Sequence, residues 1–442
     1  MNIQLSDHFT YRRLIRFTLP SIVMMIFTSI YGVVDGIFVS NFVGKTPFAA
    51  LNLIMPACML LGALGFMVGT GGSALVSKKL GEGRQEEANG IFSMLIWVSL
   101  IVSIGLSLIA IAFLRPIAVW LGAEGEMIEH CVVYGRILLI TGFAFILQNE
   151  FQSFLVVAEK PQLGLMITVA AGVTNIVLDA LFVGLFGWGL AGAAWATGVS
   201  QLVGGVLPLG YFCTSKSKVL RLGKPRWDVR ALGQTCLNGS SEMMTNLSLS
   251  LVNMLYNFQL MRFAGEDGVA AYGVIMYVNF IFISVFVGYS VGSAPVIGFH
   301  YGAQNHEELR GLLQKSLALM GSASAVLTAL ALVLADPLSA IFVGYDSALL
   351  AMTSRGFMLY SLSFLFMGVS IFASSFFTAL NNGPVSAAIS FLRTLLFQAA
   401  AIVLLPRVLG LDGIWLSIGL AEALGILVSV FFLIRMRPRY QY

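Results

Sequence analysis

Ten stretches of this chain contain no Asp, Glu, Lys or Arg: residues 17–34, 46–77, 88–114, 161–178, 180–215, 243–261, 268–306, 316–335, 356–392 and 394–406. A helix that crosses a hydrocarbon layer needs about 20 mostly apolar residues, so the longest of these hold more than one crossing. Only 10% of the 442 residues are charged and 58% are hydrophobic. A soluble domain has about 25% charged residues, which excludes a soluble enzyme. The four cysteines, Cys58, Cys131, Cys213 and Cys236, are isolated, so neither a disulfide framework nor a zinc site is expected.

Dividing the runs at turn signals such as Gly187-Trp188-Gly189, Asn381-Asn382-Gly383-Pro384 and Leu409-Gly410 predicts an all-α membrane protein with twelve transmembrane helices. They fall near 14–39, 47–77, 89–114, 131–157, 162–186, 189–214, 230–262, 268–299, 309–336, 350–380, 384–409 and 411–435. Arg12, Arg13 and Arg16 precede the first helix without a cleavage site after it, so no cleavable leader is expected. Eighteen of the 25 Lys and Arg, among them Lys78, Lys79, Lys216, Lys218, Arg437 and Arg439, fall in the termini and even-numbered loops. Six lie opposite and Arg393 lies within a helix. The imbalance places both termini in the cytoplasm and the chain in the cell membrane.

The chain also repeats. A shift of 221 residues superposes Gly71, Gly81, Glu86 and Glu87 on Gly292, Gly302, Glu307 and Glu308, and Gly189, Gly192 and Gly198 on Gly410, Gly413 and Gly419. Pro161 and Pro384 match at 223. Six helices per half make a parallel repeat related by a pseudo-two-fold axis along the membrane normal, with a substrate site between the halves. The expected division is an N-lobe over 1–212, a basic cytoplasmic linker over 213–230 and a C-lobe over 231–442.

Acids at membrane depth cost about 2.5–3.5 kcal/mol each on insertion scales and mark ion or substrate pathways. Five stand out: Asp35, Glu150, Asp179, Glu242 and Glu422. Asn175 lies one turn before Asp179, on the same helix face, and Thr197 is on the next helix. Two carboxylates, an amide and a hydroxyl offer hard oxygens for Na⁺; the same carboxylates, brought together in low dielectric, would share a proton. A buried polar network that merely pins helices is the structural alternative. Glu242, with Asn246 one turn on, is expected either to meet a cationic substrate or second proton, or to sit hydrated near the helix end. Glu150, beside Gln148 and Asn149, either lines the cavity, with Tyr31, or pairs with Arg136. Arg393 and Glu422 are expected to neutralise each other. Pro20 either bends the first helix as part of a switch or leaves a static kink.

No phosphate-binding loop is present, since Gly44-Lys45-Thr46 lacks its upstream glycine. The histidines, His8, His130, His300 and His306, have no metal spacing, and no nucleophile–base set exists. Neither enzyme chemistry nor a cofactor nor a nucleic acid partner is expected, and any transport would be ion-driven.

The run Asn175-Ile-Val-Leu-Asp179-Ala-Leu-Phe followed by Gly187-Trp-Gly-Leu-Ala-Gly-Ala-Ala-Trp-Ala-Thr197 resembles the helix five to six region of multidrug and toxic compound extrusion (MATE) transporters, in their DinF-like and MepA-like branch. So do Tyr301-Gly302-Ala303-Gln304, Phe391-Leu-Arg393-Thr and Gly410-Leu-Asp-Gly-Ile-Trp415. The resemblance implies a two-lobed, monomeric antiporter that exchanges Na⁺ or H⁺ for amphipathic cationic drugs. It implies a cation site at Asp35, Asn175, Asp179 and Thr197, a bending proline at Pro20 and a helix-seven acid at Glu242. The usual helix-seven proline is missing from Leu232-Gly-Gln-Thr-Cys236, and the C-lobe acid of some relatives has no counterpart. The alternative is a flippase for lipid-linked saccharides, which would call for a more basic interior.

Overall fold

A computed structural model describes residues 3–214 and 218–442, without the side chains of residues 36, 37, 39–41, 45, 48 and 56. Lys216 lies outside the described residues. Among these there are helices and no strands, as lipid requires of a chain that must satisfy its backbone internally. The helices are α1 Tyr11–Phe42, α2 Lys45–Gly81, α3 Gln85–Ala112, α4 Glu126–Ile140 with Gly142–Val157, α5 Pro161–Asp179 continuing through a π-helical stretch Ala180–Leu185, and α6 Gly189–Cys213. In the second half, one 74-residue helix, Val229–Gly302, breaks at Gly265 into α7 (229–264) and α8 (266–302). Then follow α9 His306–Val343, α10 Ser347–Ser361 with Phe364–Ala379, α11 Gly383–Leu404 in three segments, and α12 Leu411–Tyr440. The expected twelve spans are all present among the described residues.

Differences from expectation have local causes. Gly265 turns the chain with φ 65° and ψ −150°, a conformation essentially reserved for glycine. α4 bends by 54° and α10 by 46°. At the first bend the Thr141 hydroxyl donates to the carbonyl of Leu138 at 3.2 Å, and just before the second Ser361 donates to Phe357 at 2.6 Å. Such hydroxyls compete for the helix carbonyls and bend the backbone. A short helix, Leu114–Trp120, follows α3 where a loop was expected. Left-handed positions repeat as the sequence does: Gly44 with Gly265, Gly83 with Gln304, Glu159 with Asn381, and Gly189 with Gly410.

Both termini lie at one face. Tyr440 packs its ring 5.5 Å from that of Tyr301 and its carbonyl 3.1 Å from His306, while Phe9 packs on His300. At this terminal face the lobes close through glycines. A Cβ on Gly81 would lie 2.0 Å from the Phe299 carbonyl oxygen, and one on Gly302 would lie 2.0 Å from that of Lys78. Phe299 is the repeat equivalent of Lys78, so α2 and α8 make the same contact twice, as a two-fold axis demands. Gly71 and Gly239 join α2 to α7 equally closely, and Gly288 and Gly292 join α8 to α1. Toward the opposite face Gly32 of α1 and Gly273 of α8 meet nothing within 4 Å. The tightest contacts between the lobes are at the terminal face, and beyond them the Ser29 hydroxyl of α1 still donates to the Phe280 carbonyl of α8 at 3.3 Å.

The lobes also exchange their leading segments. Leu5, Phe9, Leu14 and Phe17 are buried in the core of the C-lobe. The Leu5 amide donates to Glu159 of the N-lobe at 2.7 Å, while the Phe9 amide donates to Glu308 at 2.8 Å and Lys315 donates to the Phe9 carbonyl at 2.6 Å. Burial holds the Glu159 carboxyl above its ordinary range, the Leu5 amide offsetting part of that shift. Reciprocally, Leu220 and Ala231 are buried in an N-lobe core. The Gly223 amide donates to Ser93 and the Arg226 amide to the Gly90 carbonyl of α3. Each half thus reaches across to the third helix of the other.

Replacing Gly302 by valine forces a side chain into the Lys78 carbonyl and is expected to part the lobes at this face. Spin labels on the exposed positions Glu86 and Glu307 should then report a longer distance than in the unsubstituted protein; an unchanged distribution would show that the glycine crossing is not what holds the seal.

Candidate functional site

The N-lobe acids meet where α1 and α5 pack together. Asp179 is fully buried and closes the α-helical part of α5, at the start of the π-helical stretch; a π-turn re-aims side chains and recurs at functional sites. Asp35 of α1 lies within electrostatic reach of Asp179 and near Asn175. Asn175 is 2% exposed. Both carboxylate oxygens of Asp179, Oδ1 of Asp35 and Nδ2 of Asn175 are buried without a hydrogen-bond partner. No group of three or more His, Cys, Asp and Glu gathers as a metal cluster among the described residues. The oxygens on hand suit a proton or a hard monovalent cation.

The Thr197 hydroxyl is also buried and unpartnered, and it lines a small cavity of about 20 Å³ with Gln201, Cys58 and Met59. Tyr31 lies one turn from Asp35 and beside Gln148. Tyr134, which the sequence reading passed over, is fully buried within electrostatic reach of both Asp35 and Asp179. Its only sequence signal is a polar aromatic inside an apolar run, too common a feature to single out.

A second, larger space lies between the lobes, with a volume of about 310 Å³, within the range of small-molecule sites. The N-lobe wall is Met25, Thr28, Ser29, Phe66, Thr70, Ser73 and Ser153, all uncharged. Every charged residue on the wall, Glu242, Arg393 and Glu422, comes from the C-lobe. Asn246 is there too, its side-chain amide donating to the Glu242 carbonyl at 2.8 Å. The expected ion pair is present: Arg393 Nη1 donates to the two Glu422 oxygens at 3.0 and 3.3 Å.

Glu150, Gln148 and Tyr31, expected on this wall, are not among its lining residues. Glu150 is wholly buried within the N-lobe beside Ser99, its carboxylate oxygens without a hydrogen-bond partner. Gly69 lets α2 press directly onto its backbone, which turns that part of α4 inward. Among the described residues it has no ion pair with Arg136, which is exposed. Pro20 sits inside α1, which runs through it as one helix.

Two repeated bundles with buried acids in one and a charged cavity between them make the architecture of a membrane transporter. The MatE family model matches residues 20–181 and again residues 243–404. These two matches cover most of the chain, which belongs to the MatE family of membrane transporters, and they start 223 residues apart, reproducing the internal repeat. The chain is 20% identical over 432 residues to the multidrug export protein MepA of Staphylococcus aureus (strain MRSA252), spanning 97% of this chain and 94% of that one. It superposes on an outward-facing multidrug resistance MATE family transporter of the MOP superfamily with a TM-score of 0.91 at 21% identity, covering 100% of this chain and 98% of that chain. A mutant of the Vibrio cholerae MATE transporter VcmN superposes at 0.90 with 19% identity over 97% of each chain.

At the family offset of 223, Asn175 corresponds to Gln398 and Asp179 to Ile402. The N-lobe acid therefore has no C-lobe equivalent. Breaking a buried ion pair from one side costs about 3–5 kcal/mol, whereas removing both partners is far milder. Glu422→Gln is expected to lower thermal stability in detergent, and Arg393→Met/Glu422→Met to recover most of the loss; melting curves of the two variants check this.

Proposed function

We propose that this transporter is a cation-coupled multidrug antiporter that exports amphipathic cations in exchange for Na⁺ or H⁺. The observation that carries the reading is the Asp35–Asp179–Asn175 cluster: the buried Asp179 carboxylate within electrostatic reach of the half-buried Asp35 carboxylate, with no cationic side chain paired to either among the described residues. Two such charges in low dielectric repel until a proton or cation joins them. The printed activity of the S. aureus relative, multidrug export, supports the cargo class. So does the cavity, whose charged groups are two carboxylates and one guanidinium.

The excess of basic residues at the terminal face supports placing that face in the cytoplasm of a cell-membrane protein. The seal then closes the cytoplasmic side and the cavity faces outward. In this reading a proton or Na⁺ entering from outside neutralises the Asp35–Asp179 repulsion and draws α1 onto α5. The cavity wall that α1 contributes through Met25, Thr28 and Ser29 moves with it, and cargo leaves. The lobes then part at the glycine crossing, release the ion inward and reload. Thr197 contributes from the neighbouring cavity as a second hydroxyl shell, and Pro20 weakens α1 where it must shift. The working unit is a monomer, since one chain contributes both lobes and the cavity between them. A lipid-linked pyrophosphate would meet net negative charge in this cavity, which counts against the flippase reading.

Ethidium efflux from everted vesicles, under a Na⁺ gradient or a pH gradient imposed separately, tests the proposal. One gradient should drive transport, and Asp35→Asn and Asp179→Asn should each reduce it to the rate of vesicles lacking the protein, at unchanged protein level. Wild-type rates in both variants would remove the acid pair from the coupling mechanism.

A further inference from the structure

Glu150 has no part in the exchange proposed above, yet it is enclosed as completely as Asp179: both are 0% exposed. Its two carboxylate oxygens are buried with no hydrogen-bond partner. α2, α3, α5, α6 and the α7–α8 helix pack on this half of α4. Among the described residues none of them brings a charged or titratable side chain to the carboxyl, and the polar side chain beside it is Ser99 of α3. Its chain neighbours point elsewhere: Gln148 lies against Gly204 of α6, and the Asn149 amide donates to the Gly62 carbonyl of α2 at 3.3 Å. An isolated ionised carboxylate in such surroundings costs several kcal/mol even after relaxation, so the group is held neutral by a proton unless a cation joins it.

A line of hydroxyls leads to this acid. Ser99, Ser103 and Ser107 of α3 are all buried, and a spacing of four puts them on one helix face, about 6 Å apart along the axis. The Ser99 and Ser107 hydroxyls have no hydrogen-bond partner, while Ser103 donates to the Leu100 carbonyl at 2.9 Å and keeps its oxygen free to accept. The line runs away from the terminal face. At its far end Ser107 meets the bend of α4, where a Cβ on Gly142 would lie 3.0 Å from Ser107 Oγ. Gly142 in turn lines the cavity of about 20 Å³ shared by Thr197 and Gln201, which has room and polar partners for one water. A hydroxyl both donates and accepts, and about 6 Å is what one water spans with two hydrogen bonds.

We propose that Glu150 is a proton-binding site of the N-lobe, distinct from the Asp35–Asp179 pair, which takes up and releases its proton along the Ser99–Ser103–Ser107 face of α3. An O–H bond forms on the Glu150 carboxylate as one breaks on the hydroxyl or water that hands the proton over, and release reverses the step. The ligand is a proton alone, because one carboxyl and one hydroxyl supply far fewer oxygens than the six or so that a hard metal cation gathers. Intramembrane acids in contact with polar side chains serve elsewhere as members of proton relays.

Infrared spectroscopy of the purified full-length protein, with no cargo and no gradient, tests this. The Asp35→Asn/Asp179→Asn protein is the background, so that the acid pair is silent. A protonated carboxyl absorbs above the amide band and moves to lower frequency when deuterium replaces its hydrogen. At neutral pH the background protein should show such a band that a further Glu150→Gln removes, and the band should shift on transfer to D₂O. Ser103→Ala/Ser107→Ala should keep the band and slow its shift by about tenfold or more. Melting curves identify a variant that fails to fold; Glu150→Asp then replaces Glu150→Gln, and the band must change frequency. A spectrum untouched by substitution of Glu150 would overturn the site. A Glu150 band that keeps its frequency through prolonged exposure to D₂O would mark a sealed acid and overturn uptake and release. Equal shift rates with and without the serine hydroxyls would overturn the route. Ethidium efflux does not enter these measurements, so failure here and failure of the antiporter reading are distinguishable.

Discussion

Helices in lipid are not pressed together by the hydrophobic effect, because the tails around them are as apolar as their own side chains. What joins the two halves of this molecule is the direct approach of backbones, and that approach needs glycine. Gly81 and Gly302 bring α2 and α8 so close that a single methyl group would collide with a carbonyl oxygen of the other helix. Because the two residues are repeat equivalents, the contact is made twice about the same axis. A seam of this kind has no side chains locked into holes, so it can open without first unpacking a core. The exchanged leading segments, with Leu5 and Phe9 in one lobe's core and Leu220 and Ala231 in another, add the polar and apolar adhesion that the glycines lack.

The scaffold is duplicated and its chemistry is not. Left-handed turn residues, helix bends and glycine crossings recur at the repeat offset, since each is required by the shape of the bundle. The charges at membrane depth do not recur: Asp179 has Ile402 as its equivalent, and the Arg393–Glu422 pair has no N-lobe copy. One lobe holds acids without a counter-charge, the arrangement that attracts a proton or cation. The other holds an ion pair and a further carboxylate, Glu242, on the wall of the cavity between the lobes. α1 is the element that touches both places, the acids through Asp35 and the cavity through Met25, Thr28 and Ser29.

Much of this was legible in the residue order. The charge-free runs predicted the twelve spans, and the structure departs from them mainly at the ends and bends, as at Thr141 and Ser361, where hydroxyl bonding to the helix backbone leaves no mark on hydropathy. The pairing of Arg393 with Glu422, 29 positions apart, followed from two opposite charges at membrane depth. The nearness of Asp35 to Asp179 came from resemblance and the rarity of such acids, not from any pattern joining them. Glu150, Gln148 and Tyr31 were expected on the cavity wall and are not among the residues that line it.

The sequence by itself determined how many times the chain crosses, that it repeats, and which charges are carried into a medium that penalises them. These are one-dimensional facts, written in hydropathy and in the spacing of glycines. Only the tertiary structure decided which of those charges share a space, and that each half leads with a segment buried in the other. A side chain's surroundings depend on the rotation, tilt and bend of its helix against neighbours hundreds of residues away, and in lipid those are set by close packing at a few small residues rather than by the pattern of apolar ones.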